Sequence, residues 1–391
     1  SVVGMSEQYP PARPTIIRMA LFCLLAGVLT AGLLFPVVGG AGLVSNTASE
    51  SVAQDSATIL EGEVPAVSTM VDAAGNTIAW IYVQRRFQVP SERIADTMKL
   101  AIVSIEDKRF AEHNGVDLQG TLTGLAGYLK GAVDTRGGST IEQQYVKNFN
   151  LLVNAQTEAE RLAAVETTPT RKLREIRMAL TLSKTLSKPE ILTRYLNLVS
   201  FGNGAYGIQD AARTYFGINA ADLNWQQAAL LAGLVQSTST LNPYTNPEGA
   251  LDRRNLVLDT MIQNLPEYAD ELRAAREQPL GILPRPSSVP QGCIAAGDRA
   301  FFCDYALEYL AKAGISKEDI ARNGYLIKTT LDPTVQDSVK KAIDSVASPT
   351  LDSVASVMSV IRPGTDDHRV LAMGDNRTYG LRLERGETVQ P

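Results

Sequence analysis

A long uncharged segment near the start of the chain is the strongest constraint on how it folds. No residue from Met19 to Val44 carries a charge, and Leu, Val and Ala dominate the run. With a helical rise of 1.5 Å per residue, a run of this length crosses a hydrocarbon core of about 30 Å. The sequence therefore predicts a single transmembrane helix over residues 16–44.

Basic residues flank this segment on one side only. Arg13 and Arg18 lie before it, whereas the next Lys or Arg on the far side is Arg85. By the positive-inside rule, residues 1–15 form a cytoplasmic tail, and the chain after residue 45 lies outside the cell membrane. A cleaved signal peptide is the alternative, but its apolar core usually spans only about 7–15 residues.

The composition narrows the classes of function. The 391 residues carry a net charge of -5, which argues against a nucleic-acid partner and leaves any anionic ligand to local cations. Only 2 His and 3 Cys are present, so a zinc site built from His and Cys is not expected. Carboxylates are therefore the candidates for acid–base chemistry, and no organic cofactor is expected.

Beyond the membrane segment, the patterns predict a mainly α-helical protein. Residues 45–68 have the composition of a linker, and residues 69–82 alternate around an Ala-Gly-Asn turn as a β-hairpin does. Helical periodicity dominates a first domain at 69–265. A small α/β interdomain linker at 266–353 and the beginning of an incomplete β-containing domain at 354–391 follow.

Cys293 and Cys303 lie ten positions apart in the part of the chain predicted to be extracellular. An oxidising environment favours a local disulfide between them. Two free thiols in a loop are the alternative.

The first candidate site ends a predicted helix that follows Pro90. Apolar residues with helical spacing lead into the pair Glu106-Asp107. A carboxylate at a helix C-terminus meets the negative end of the helix dipole, which makes it a stronger base. Glu106 or Asp107 is therefore a candidate general base.

The second candidate site follows Gly137-Gly138. Ser139 with Glu142 three residues later predicts a capping box and a helix that begins at Ser139. Ser139, Gln143 and Lys147 then share one helix face. Together with the N–H groups of a helix start, this face suits a phosphate or pyrophosphate.

The third candidate site is the basic helix around Arg171. Arg171 and Glu175 lie one turn apart, and Leu173, Ile176 and Leu180 are predicted to form its packing side. The neighbouring cations should keep Glu175 ionised. An electrostatic or metal-holding role therefore fits Glu175 better than a proton-accepting one.

In this order, the three sites resemble the peptidoglycan glycosyltransferase domain of bifunctional class A penicillin-binding proteins, the family 51 glycosyltransferases, with an actinobacterial character. The resemblance covers roughly residues 70–265. Its motifs are Glu106-Asp107 with Phe110, His113, Gly115 and Asp117; Gly138-Ser139-Thr140-Ile141 with Gln143-Gln144 and Lys147-Asn148; and Arg171-Lys172 with Glu175, Ser187-Lys188 and Tyr195-Leu196-Asn197.

The resemblance implies a lysozyme-like helical domain that polymerises lipid II into a growing β-1,4 glycan strand with inversion, releasing undecaprenyl pyrophosphate. Glu106 matches the base that deprotonates the acceptor hydroxyl. Glu175 matches a second catalytic Glu, which assists at the pyrophosphate directly or through Mg²⁺ or Mn²⁺. The implied substrate-binding positions are Asp107, Phe110, His113, Ser139, Thr140, Gln143, Lys147, Arg171, Lys172 and Asn197.

The implied partners are lipid II, the glycan strand, the cytoplasmic membrane and other cell-wall synthesis proteins. An apolar segment that dips into the membrane is expected at Leu122, Leu125, Tyr128 and Leu129. Residues from about 354 resemble the start of a transpeptidase domain. No transpeptidase active site is expected in this chain, because Ser338-Val339-Lys340-Lys341 matches Ser-x-x-Lys without the motifs that should follow it.

The sequence departs from the family pattern at several positions. Glu142 occupies a position that is commonly Thr, and Ser183 one that is commonly acidic. The connection between Asn148 and Arg171 is also longer than usual, and only Arg161 offers a weak counterpart for an arginine that the family often places there.

Two other functions remain open at this point. A lysozyme-like glycoside hydrolase would use a similar carboxylate pair, although it has no pyrophosphate for the basic helix to neutralise. A non-catalytic membrane anchor would need none of Glu106, Gln143, Lys147 and Glu175.

Overall fold

The computed structural model describes residues 58–120, 139–347, 354–364, 367–382 and 387–389. The chain divides into two compact units, and the elements below belong to the second, residues 59–391. The predicted transmembrane helix and the predicted membrane-dipping residues at 122–129 lie outside the described residues. Within the described ranges, no helix is both long and apolar enough to cross a bilayer.

Helices dominate the described chain, which confirms the prediction of a mainly α protein. The α-helices are α1 (Asp96–Glu106), α2 (Ile141–Phe149), α3 (Glu158–Val165), α4 (Pro169–Thr185), α5 (Lys188–Leu198), α6 (Ile208–Phe216), α7 (Trp225–Leu234), α8 (Pro247–Asn264), α9 (Ala269–Arg276), α10 (Ala300–Lys312), α11 (Lys317–Asn323) and α12 (Pro333–Val346). The strands are β1 (Ser68–Val71), β2 (Thr77–Ile81), β3 (Arg85–Arg86), β4 (Ser200–Gly202), β5 (Ala205–Tyr206), β6 (Leu326–Lys328), β7 (Val357–Ile361), β8 (Val370–Asp375), β9 (Gly380–Arg382) and β10 (Glu387–Val389).

The core of the helical region forms around α7. Every residue from Ala228 to Leu234 is buried, as expected for a helix that is apolar on all sides. Helix α7 packs against α1 and α8, while α2 packs against α4 and α5. The candidate sites predicted from the sequence therefore lie on helices that the core fixes in place.

The predicted hairpin is confirmed, because β1 and β2 pair in antiparallel fashion. A third strand, β6, pairs parallel to β1 with Thr69 opposite Leu326. The disulfide between Cys293 and Cys303 is confirmed as well. Both half-cystines are buried in an apolar cluster with Met70 and Phe302.

The Gly-rich segment after α5 forms a tight turn between β4 and β5. Gly202, Asn203 and Gly204 all have positive φ, the conformation that glycine adopts without strain. Gly207 also has positive φ, and a Cβ there would lie 2.7 Å from the carbonyl oxygen of Asn197. This turn returns the chain from α5 into α6.

Candidate active site

Glu106 is the last residue of α1 and lies half-buried beside α2. The side-chain amide of Gln144 donates a hydrogen bond of 2.8 Å to its Oε2. Burial raises the pKa of Glu106, an effect that Gln144, Arg253 and Lys147 partly offset. The sequence predicted a raised pKa from the helix dipole, but burial is its main cause in the structure.

Asp107 fixes the start of α2. Its buried carboxylate accepts a hydrogen bond of 3.0 Å from the backbone N–H of Ile141. The Nε2 atom of His113 lies 2.9 Å from the same carboxylate. Asp107 therefore anchors α2 next to Glu106.

The N-cap of α2 lies one residue later than the predicted Ser139. Thr140 is its N-cap, and its hydroxyl accepts a hydrogen bond from the backbone N–H of Gln143. The predicted capping box between Ser139 and Glu142 is wrong, since the fully buried Glu142 carboxylate instead pairs with Lys188 at 2.6 Å. Ser139 is thereby left outside the helix, where its hydroxyl meets Lys172.

A cationic cluster surrounds Glu175 near the first turn of α2. The Lys172 ammonium donates hydrogen bonds of 2.7 Å to Ser139 Oγ and to Gln143 Oε1. It also lies 3.5 Å from Glu175 Oε2, while Arg171 bonds to Glu175 Oε1. Burial, together with the neighbouring Arg171 and Lys147 cations, lowers the pKa of Lys172 to about 8.

The buried face of α4 differs from the predicted one. Leu173 and Leu180 are exposed, so the prediction that they form the packing side is wrong. The buried residues are instead Glu175, Met178, Ala179 and Leu182, which have the i, i+3, i+4, i+7 spacing of one helix face. Helix α4 is thus rotated about its axis relative to the prediction, and the Glu175 carboxylate faces α2.

Lys147 interacts electrostatically with both Glu106 and Arg171. Burial and the Arg171 charge lower its pKa, and the Glu106 charge opposes that shift. Lys147 therefore lies within electrostatic reach of both Glu106 and the cationic cluster. It also lines a cavity of about 330 Å³ with Gln144, Asn148 and the hydroxyl-rich loop 235–239. On consecutive residues of α2, Gln144 thus contacts Glu106 and Gln143 contacts Lys172, the cation next to Glu175.

Four of the implied substrate contacts have internal partners in the structure. The Phe110 ring is buried under the Lys188 ammonium, 4.4 Å from its centroid. The Thr140 hydroxyl donates to the carbonyl of Gly115, and the Asn197 side chain bonds to both backbone groups of Val89. His113 contacts Asp107, as described above. Ser139 and Gln143 likewise bond to Lys172, and Arg171 bonds to Glu175.

Sequence reasoning missed three residues around Glu106. Gln144 was recognised only as part of a motif, although it is the direct partner of Glu106. The buried Tyr195 hydroxyl donates 2.9 Å to Gln144 Oε1 and so fixes that amide. Arg253 acts on Glu106 through its charge. The adjacent Gln143-Gln144 pair was a usable signal, whereas Tyr195 appeared only as part of the motif Tyr195-Leu196-Asn197.

Residues 74–262 match the family model described as Transglycosylase. This match covers the two glutamates, helix α2 and the basic helix α4. These residues therefore form a transglycosylase domain of the class A penicillin-binding protein type, which confirms the resemblance drawn from the motifs.

Relatives extend the similarity beyond this domain. Penicillin-binding protein 1A of Aquifex aeolicus is 31% identical over 83% of this chain and 41% of its own length. Penicillin-binding protein 1A/1B of Bacillus subtilis is 29% identical over 91% of this chain and 38% of its own length. Penicillin-binding protein 1A of Mycolicibacterium smegmatis is 33% identical over 72% of this chain and 35% of its own length. The chain thus spans about two fifths of the length of these curated relatives.

Proposed function

We propose that this chain is a peptidoglycan glycosyltransferase that polymerises lipid II into β-1,4 glycan strands, as the N-terminal part of a bifunctional cell-wall synthase. One observation carries the proposal. A single helix, α2, holds a desolvated carboxylate through Gln144 and a cluster of cations through Gln143. A base and an anion site side by side suit the attack of a hydroxyl on a sugar with a diphosphate leaving group.

Glu106 is the general base of this proposal. A base must be deprotonated at working pH and yet hold the proton firmly enough to remove it from a hydroxyl, so a raised glutamate pKa is favourable. Glu106 takes the proton of the acceptor 4-hydroxyl as that oxygen attacks the anomeric carbon of the donor chain. Gln144 orients the carboxylate during this step.

The cationic cluster stabilises the leaving diphosphate. As the bond between the sugar and the pyrophosphate breaks, negative charge grows on the leaving oxygen, and fixed cations lower the energy of that state. Lys147, Arg171 and Lys172 supply this charge. Glu175 balances and orients Arg171 and Lys172 in the absence of substrate.

A divalent cation at Glu175 stays a prediction, and the residues around this carboxylate do not favour it. Both Glu175 oxygens face cations, Arg171 and Lys172. No group of three donor residues within the described ranges includes Glu175. The steps above therefore use only the cations of the chain itself.

Two further properties belong to this proposal. The first is a single-pass membrane location with the catalytic domain outside, supported by the uncharged run 19–44 and its flanking arginines.

The second is the choice of polymerisation over hydrolysis. A hydrolase needs no diphosphate site, whereas Ser139, Gln143, Lys147, Arg171 and Lys172 form one here.

Labelled lipid II tests the proposal directly. We expect the purified chain to produce glycan polymer and Glu106→Gln to reduce the yield by roughly 10²–10⁴-fold, because the base is lost. Glu112→Gln is the matched control, since this carboxylate is exposed a few residues away. Shortened glycan instead of polymer would indicate a hydrolase. Unchanged yield with Glu106→Gln would remove the assigned base.

A further inference from the structure

A buried group of three donor residues lies behind the proposed active site. Asp107, His113 and Glu142 each offer one ligand atom, and these atoms lie within 4.8 Å of one another. The Glu142 side chain is fully buried, and the side chains of Asp107 and His113 are 2% and 8% exposed. The group is separate from Glu175, the residue to which a metal was assigned by resemblance.

One candidate ligand atom in this group has no hydrogen-bond partner. It is Oε2 of Glu142, which is buried. Oε1 of Glu142 pairs instead with Lys188, and Nε2 of His113 lies 2.9 Å from the Asp107 carboxylate. A buried polar atom without a partner is costly. A cation held by the three residues would satisfy Oε2.

The chemistry of the group favours a metal ion as that cation. Nε2 of His113 and the Asp107 carboxylate lie 2.9 Å apart, and an ion bound by both would replace the proton of that contact. Ligand atoms bound to one ion at about 2.1 Å lie roughly 3–4 Å apart, and the three donor atoms here lie within 4.8 Å of one another.

The charges in the group point the same way. Asp107 and Glu142 contribute two negative charges, Lys188 contributes one positive charge, and a neutral imidazole contributes none. A buried group with an excess negative charge is stabilised by a cation. An imidazole nitrogen together with carboxylate oxygens suits Zn²⁺ or Mn²⁺ better than Ca²⁺.

We propose that Asp107, His113 and Glu142 form a binding site for a divalent transition metal that ties the segment after α1 to the first turn of α2. Glu142 is the residue that departs from the usual Thr, so the site is a feature of this chain. The ion supports the position of Asp107, next to the proposed base, and takes no part in proton transfer.

Metal binding without lipid II tests this site separately from the proposed enzymatic function. The full chain is stripped with a chelator and dialysed against Mn²⁺ or Zn²⁺ alone, and the bound metal is counted. We expect about one ion per chain. His113→Ala and Glu142→Gln should each weaken binding by at least about tenfold. His368→Ala and Glu175→Gln, which leave the three donors intact, should bind as the unmodified chain does.

Lys188→Met gives a test of opposite sign. Removal of the competing ammonium should tighten metal binding, whereas a purely structural ion pair would give no metal uptake in any variant. If Glu142→Gln fails to fold, Mn²⁺ added to the unmodified chain should broaden the NMR ring signals of His113 but not those of His368. Absence of uptake by the unmodified chain, or uptake that only Glu175→Gln abolishes, would overturn the proposal.

Discussion

The two glutamates lie in opposite environments, although helix α2 bonds to Glu106 and also to Lys172, a partner of Glu175. Glu106 is held by the neutral amide of Gln144, and burial raises its pKa. Glu175 is buried against two cations, Arg171 and Lys172. When two carboxylates have such different surroundings, their chemical roles separate. Under the proposed function, this difference assigns the proton transfer to Glu106 and the diphosphate to the cations beside Glu175.

Among the substitutions that test this comparison, the largest effect on activity is expected at Glu175. Glu175→Gln removes the charge that balances Arg171 and Lys172, so the cleft should hold the diphosphate too tightly. We expect kcat to fall by roughly 10²-fold while KM does not rise. The acidic limb of the pH profile should stay in place, because Glu106 is unchanged. A displaced acidic limb would show that Glu175 is the titrating base. Glu158→Gln on the exposed helix α3 is the control.

The pH dependence of Lys172 sharpens the same comparison. Its pKa of about 8 means that the ammonium is charged below pH 8 and neutral above it. We therefore expect kcat/KM to fall by about tenfold between pH 7 and pH 9, as the cationic end loses charge. Lys172→Arg should abolish this fall, since an arginine stays protonated. Lys184→Arg, at the exposed end of α4, should leave it unchanged. An identical fall in Lys172→Arg would assign the basic limb to another group.

A smaller effect on activity is expected near Glu106, whose partner Gln144 is neutral. Tyr195→Phe removes the hydrogen bond that fixes Gln144, and a weaker hydrogen bond from Gln144 raises the pKa of Glu106 further. The acidic limb of kcat/KM should move to higher pH, with about a two- to fivefold loss of activity below that limb. Tyr309→Phe, on the exposed face of α10, serves as the control. Loss of activity at every pH without a moved limb would point to a packing defect instead.

The smallest effect on activity is expected at the disulfide, far along the chain from both glutamates. Cys293 and Cys303 close a loop of 10 residues, and its loss should lower the free energy of unfolding by about 2–3 kcal/mol. Thermal unfolding of Cys293→Ser with Cys303→Ser measures this change. The polymer yield below the unfolding temperature should stay the same. A lower yield there would mean that the linker region influences the cleft.

Local signals in the sequence predicted much of the fold and of the site. The hairpin and the disulfide depend on residues close in sequence, and both are present. Chemistry encoded within one turn of helix or one hairpin is readable before the fold is known.

What the sequence did not reveal depends on contacts between distant elements. The packing side of α4 was assigned from its leucines, but the inward face is the one that carries Glu175, because the cations of α4 need α2 as a partner. Glu142 fitted a local capping box, yet its partner is Lys188, 46 residues away. Burial of a charge is decided by such remote partners, and spacing alone does not identify them.

The parallel pairing of β6 with β1 has a consequence for how the protein is made. The hydrogen bond from Tyr325 to Ser68 joins residues separated by 257 positions. At roughly 5–20 residues per second, synthesis delivers the closing strand tens of seconds after the first hairpin emerges. The helical transglycosylase domain therefore has time to form first, and the β1 edge stays open until the chain beyond it arrives. A truncated product that ends before Leu326 would expose that edge permanently, as a ready surface for self-association.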